Sequence, residues 1–249
     1  MTFTSILSRL TNNFSSRLIL LFSKTTHLNF WNNLLKKNTA TKDESYNLAP
    51  LVGIIIGFVI ASIAILGRLF FSYRIIATIV AFVCYLFFGY VNVLYGFALT
   101  VSNLKNEDTI NVNVDKFGII AIILAIALWC TCVTYMRPAR LFLSLMSAVC
   151  LSRFASCLVV YIANCQEHAE EKKEHVKSFD KVDLIVAICC TVPWLILCLE
   201  RCLPTLSFAI IFAISIMKFL NRNSSDATAK ISSTAIVVTE IFSLLIWLI

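Results

Sequence analysis

The sequence predicts an all-α fold, a polytopic transmembrane helical bundle of about seven spans with its amino terminus in the cytoplasm. Three observations predict it. Apolar residues make up 59% of the chain and charged residues only 14%, whereas roughly a quarter of a soluble domain is charged. Apolar runs long enough to cross a hydrocarbon core of about 30 Å recur along the chain, separated by short segments that hold almost all the charge. Lysine and arginine, finally, are divided unequally between alternate connections, which sets the sides.

Taken in order, residues 1–47 are too polar to span. Leu7, Leu10, Phe14, Leu18 and Leu21 recur at helical spacing with Arg9, Arg17 and Lys24 between them. A basic amphipathic helix lying in the interface fits that pattern, as does a tail or targeting segment. The spans, which form one domain over 48–249, run from Leu48 to Leu66, Ile75 to Leu99, Phe117 to Met136, Leu141 to Ala163, Val182 to Leu199, Leu203 to Leu220 and Ile231 to Ile249. In hydrocarbon each backbone polar group must be satisfied within its own segment, which makes these runs helices. None alternates polar and apolar residues as a barrel strand does. Pro193 is expected to kink the fifth.

Fifteen of the 21 lysines and arginines fall in the amino-terminal segment and in the second, fourth and sixth connections. The connections on the other side hold five, all arginine. The richer side is therefore expected to face the cytoplasm. The net charge of +7 is a topology signal, and no nucleic-acid partner is implied. Eight of the ten cysteines lie inside apolar runs without a CxxC pair and read as small packing residues.

Few residues could carry chemistry. Arg153 and Glu240 fall near the middle of spans, where an unpaired charge costs several kcal/mol or more, so both are expected to face the interior as catalytic candidates. Their similar depth suggests a mutual ion pair. The segment 103–116 brings Glu107, Asp108 and Asp115 to the cytoplasmic side, oxygen ligands suited to Mg²⁺ beside a phosphate-bearing substrate, or else a solvated acidic loop. His168, Glu171 and His175 share a helical face in the segment 166–183, which reads as a salt-laced helix more readily than as a metal site. Signature motifs for nucleotide binding, zinc proteolysis or serine hydrolysis are missing from the sequence.

The order of features resembles a known family. Pro50-Leu51-Val52-Gly53-Ile54-Ile55-Ile56-Gly57 is similar to the FPLxGxxxG opening of the first span in the cobalamin-5'-phosphate synthase family, adenosylcobinamide-GDP ribazoletransferase. Ser8-Arg9-Leu10 sits where that family has TRL, and Ser152-Arg153 followed by Tyr161 resembles its SRxxxxxLxxY stretch. Thr234 through Glu240 to Leu245 is similar to its closing helix. The resemblance implies a transferase of the bacterial inner (plasma) membrane, acting late in cobalamin biosynthesis with its active-site loops in the cytoplasm. It would join adenosylcobinamide-GDP, a corrinoid nucleotide, to α-ribazole or its 5'-phosphate and release GMP. It also implies Mg²⁺, here assigned to Glu107, Asp108 and Asp115, with the lipid bilayer as surroundings.

The chain departs from the family where the metal motif should stand. The stretch from Gly96 to Glu107 replaces GGxHLDGLADTxDG, with Ala98 for the histidine and Thr100 and Leu104 for two aspartates. Ala229-Lys230 replace a Gly-Asp, and Val237 replaces a glutamate. A threonine or leucine cannot supply the charge that fixes a magnesium ion. Two other readings therefore stand beside the working transferase: a catalytically inactive, diverged homologue, and an unrelated membrane transporter or scaffold.

Overall fold

The computed structural model describes residues 46–103, 114–167, 179, 181–220 and 225–249. The proposed interfacial segment 1–47 lies almost wholly outside the described residues, as do Glu107, Asp108, His168, Glu171 and His175. A 3₁₀ turn, Tyr46–Leu48, leads into α1 (Ala49–Phe70), with Pro50 in the first turn, where a missing N–H removes no helical bond. The second span is α2 (Arg74–Tyr85), a π segment (Leu86–Tyr90) and α3 (Val91–Asn103). Then follow α4 (Lys116–Tyr135), α5 (Pro138–Glu167), α6 (Lys181–Leu197), α7 (Leu199–Leu220) and α8 (Ser225–Leu248). No strand occurs among the described residues.

Among the described residues six helical stretches are long and apolar enough to cross a membrane: 49–70, 74–103, 116–135, 138–163, 199–218 and 228–248. The remaining helix, α6, has 17 residues with Pro193 inside it, at the short end of the spanning range of roughly 17–25. The chain is thus a multi-pass helical membrane bundle. Where the structure extends the expected spans it does so at their ends. The first reaches Phe70 and the second Asn103.

The second span contains a break that its apolar sequence does not announce. Gly89 has φ 86° and ψ 6°, and Phe88 beside it is also non-helical. Only glycine takes a left-handed backbone without steric penalty, so the helix can stop and restart there.

The bundle is organised around α5. Along its membrane stretch 78% is buried, against 22% for α7, and α1 and α8 pack along it more extensively than any other pair. The approach of α1 is close because Gly53 and Gly57 face α5. A Cβ on Gly53 would stand 2.7 Å from the Val149 carbonyl oxygen, and one on Gly57 2.8 Å from that of Leu145. Small residues four apart let two backbones meet, which is how membrane helices gain packing energy without a hydrophobic driving force. On the outside, Ile119, Ile120, Ile123 and Leu124 of α4 are exposed. Such a surface suits lipid and would be a liability in water.

We call the end of the bundle where the chain enters α1 the near face. At the far face, arginines serve as helix caps. Arg68 donates from Nη1 to the Met136 carbonyl at 2.9 Å and from Nη2 to those of Val133 and Thr134. Arg201 donates from Nη1 to the Ile246 carbonyl at 2.6 Å. Both satisfy carbonyls that a helix C-terminus leaves unpaired, and both place positive charge at the negative end of a helix dipole. Among the described residues, which include all ten cysteines, no disulfide forms.

Candidate functional site

Among the described residues two buried side chains are of charged type, one toward the near face and one at mid-span. The first is Arg153 of α5, which lies beside Gly53, five residues into α1. A Cβ there would come within 3.0 Å of the Arg153 Cγ. Arg153 is 7% exposed and its Nε has no hydrogen-bond partner. The hydroxyls flanking it on α5 are already used, Ser152 donating to the Val149 carbonyl and Ser156 to that of Arg153, each at 2.9 Å. Such back-bonding is the usual way a membrane helix absorbs a serine.

Near Arg153 the start of α6 supplies an acid. Asp183 accepts at Oδ1 a hydrogen bond of 2.9 Å from Asn47 Nδ2, tying the turn before α1 to α6. The Asn47 Oδ1 is buried and without a partner. Asp183 and Arg153 both act electrostatically on the Cys157 thiol, which places them around the same stretch of α5. An aspartate in the first turn of α6 also complements that helix's dipole.

The α3–α4 connection begins and ends at this face. The Asp115 N–H donates to Ser102 Oγ at 3.0 Å, while Ser102 donates to the Ala98 carbonyl at 2.9 Å. Asp115 in turn caps α4, its Oδ1 accepting from the Lys116 N–H at 2.6 Å. Glu107 and Asp108 lie outside the described residues between these anchors. Asp115 is exposed, with one oxygen used as a cap. No set of three His, Cys, Asp or Glu side chains fit to hold a metal occurs among the described residues. The described part alone therefore does not make a magnesium site.

The mid-span group centres on Glu240 of α8, which is 0% exposed. Tyr85 donates its hydroxyl to Oε2 and Trp129 its indole N–H to Oε1, both at 2.9 Å. Tyr90 stacks on Tyr85, ring centroids 4.1 Å apart. The ion pair expected between Arg153 and Glu240 is not formed, since Arg153 reaches that carboxylate only through space. Two neutral donors, Tyr85 and Trp129, occupy the carboxylate instead.

Sequence reading had passed over Asp183, Asn47, Tyr85, Tyr90 and Trp129. The two aromatic donors, Tyr85 and Trp129, had a usable signal. A carboxylate in lipid needs hydrogen-bond donors, and Tyr and Trp are the side chains that carry one on an apolar body. For Asp183 the only signal was its place in the first turn of a helix.

Comparison with known proteins gives one match, to a family described as Cobalamin-5-phosphate synthase, over residues 17–248. No curated protein and no solved structure matches the chain.

Proposed function

The chain belongs to the cobalamin-5-phosphate synthase family, and on that premise we propose that it joins adenosylcobinamide-GDP to α-ribazole or its 5'-phosphate. A ribose hydroxyl attacks the phosphorus that carries the corrinoid, the bridging P–O bond breaks, and GMP departs. In this reading the near face is cytoplasmic and the membrane is a bacterial inner membrane.

The observation that carries the proposal is Arg153, buried to 7% exposure with its Nε unsatisfied. A buried guanidinium nitrogen without an acceptor is costly, and Arg153 Nε is one. A phosphate of the corrinoid nucleotide supplies the missing acceptor, because guanidinium and phosphoryl oxygens match in charge and fork geometry. In a dry site that contact is worth more as charge builds up on the oxygens during displacement. Glu107, Asp108 and Asp115 are the carboxylates that would take Mg²⁺, which when bound neutralises diphosphate charge.

Purified protein in nanodiscs, given adenosylcobinamide-GDP, α-ribazole and Mg²⁺, should release GMP and form a corrinoid product. Arg153→Gln should reduce turnover by about 10²-fold or more. If GMP fails to appear under conditions where an active family member works, the proposal falls.

A second reading, a non-catalytic relative, is favoured by Thr100. Standing in place of a motif aspartate, it is buried and its Oγ1 donates to the Gly96 carbonyl at 3.0 Å. A hydroxyl committed to its own helix does not replace a ligand. Corrinoid-nucleotide binding without turnover would support this reading.

A further inference from the structure

The geometry points to Glu240 as a positioning residue that acts on no substrate and fixes the direction of the inner half of the broken second span. One carboxylate offers about four lone-pair sites, and both oxygens are used here, by Tyr85 and Trp129, with Tyr90 stacked on Tyr85. With the side chain fully buried, little of it remains for a reacting atom. Where these side chains stand is more telling. Tyr85 is the last residue of α2 and Tyr90 closes the π segment, so they flank Gly89, and Trp129 belongs to α4. A single acceptor on α8 therefore holds the end of α2 directly and, through the Tyr85–Tyr90 stack, the residue just beyond the break.

The break needs such a tie. At Gly89 the chain has left helical geometry, and backbone bonds there no longer set the angle between α2 and α3. The Tyr85 and Tyr90 rings stack across the joint with centroids 4.1 Å apart at 20°. Phe82 and Tyr85 lie against Trp129, at 5.0 and 5.9 Å. Stacking alone permits sliding, whereas the Tyr85 hydrogen bond to a fixed carboxylate gives the stack a register. Glu240 itself is held on α8, which packs along both α5 and α3.

The consequence appears at the near face. The inner half, α3, ends at Asn103, and its Ser102 hydroxyl receives the Asp115 N–H. Rotating α3 about Gly89 would carry Ser102 with it, and with Ser102 the start of α4, Asp115, and both anchors of the segment bearing Glu107 and Asp108. Glu240 thus reaches the acidic connection through a half-helix, and for catalysis this inference rests on the transferase reading above.

Spin-labelled unnatural residues at Ile76 in α2 and Val101 in α3 would report the joint by pulsed electron resonance in nanodiscs, leaving the native cysteines untouched. Wild type should give one narrow distance. Glu240→Gln presents an amide N–H₂ to the Tyr85 and Trp129 donors and should broaden or shift it. Should that variant fold poorly, a quadruple variant, Glu240→Leu with Tyr85→Phe, Tyr90→Phe and Trp129→Phe, removes every polar partner together. Such a swap leaves no donor orphaned and keeps the fold, yet the tie is gone and the distance should again broaden. In turnover, Glu240→Gln should lose about 10- to 100-fold in kcat with KM nearly unchanged, as expected of misplacement. Glu240→Asp, which keeps the carboxyl group, should recover part of the loss. A wild-type distance in both the Gln and the quadruple variant overturns the inference, as does a rise in KM at constant kcat, which would put Glu240 on substrate. If wild type makes no GMP, the transferase reading fails while the distance measurement still decides the tie.

Discussion

Gly57→Ala tests the α1–α5 contact most directly. The added Cβ would stand 2.8 Å from the Leu145 carbonyl oxygen and 2.8 Å from the Met146 Cα. Optimal carbon contacts lie at about 3.5–4.0 Å, so the helices must separate by roughly 0.7–1.2 Å on the carbon contact. Both obstacles are backbone, and no rotamer change relieves them. Overpacking of this kind costs about 1–3 kcal/mol, or about 2–12 °C in Tm at 2–4 °C per kcal/mol for a chain of this size. Melting can be followed with a thiol-reactive dye that fluoresces as buried Cys150 and Cys157 become accessible. Ser62→Ala serves as control, because its hydroxyl bonds only to its own helix, at the Phe58 carbonyl. Gly53→Ala should destabilise similarly and also lower activity, since its Cβ would meet the Arg153 Cγ at 3.0 Å. If Gly57→Ala and the bulkier Gly57→Leu both melt with wild type, the close approach is wrong, and the placement of Arg153 with it.

Other predictions follow from the caps and from the sides. Arg68→Gln removes the charge that caps α4 and should destabilise the bundle by roughly 1–2 kcal/mol in the same melt. Asp115→Ala loses the α4 cap, costing about 0.5–2 kcal/mol. If Asp115 also holds magnesium, the same variant should need more Mg²⁺ for half-maximal GMP release, and an unchanged Mg²⁺ dependence would remove it from the ligand set. For the sides, a cysteine introduced at exposed Tyr73 should react with an impermeant maleimide on intact cells, whereas exposed Cys165 near the end of α5 should react only after permeabilisation. The reverse pattern would turn the near face outward.

The spans were legible because hydropathy integrates over some twenty residues and tolerates errors at the ends. The break at Gly89 was not. A lone glycine inside Leu86-Phe87-Phe88-Gly89-Tyr90 looks like any small residue of a membrane helix, and its positive φ depends on what holds the flanking tyrosines. Arg153 and Glu240 were correctly placed inside the bundle, but their pairing was not, because position along a helix gives depth and says nothing about which neighbour shares the side. Arg153 meets α1 at Gly53, whereas Glu240 faces α4 and the second span. Glycine spacing in the first span was the more useful sequence signal, since Gly53 and Gly57 mark where α5 must come close.

The arginines show what can be learned from how a charge is satisfied. Arg68 and Arg201 break the charge asymmetry that set the topology, and each is accounted for by carbonyls at the end of another helix. A guanidinium held that way is neutralised by the fold and has no need of a ligand. Arg153 differs in its place and its surroundings. It sits amid α5 beside the glycine contact, its Nε has no acceptor, as is true of the Arg68 Nε too, and the nearby serine hydroxyls are turned to their own backbone. Asp183 lies around the same stretch of α5, yet its Oδ1 receives Asn47. A role confined to packing would have been met by a leucine at lower cost in desolvation. The retention of a cation there therefore favours an acceptor that comes from outside the chain, and a phosphate group reaching in from the near face has the charge and the geometry to be that acceptor.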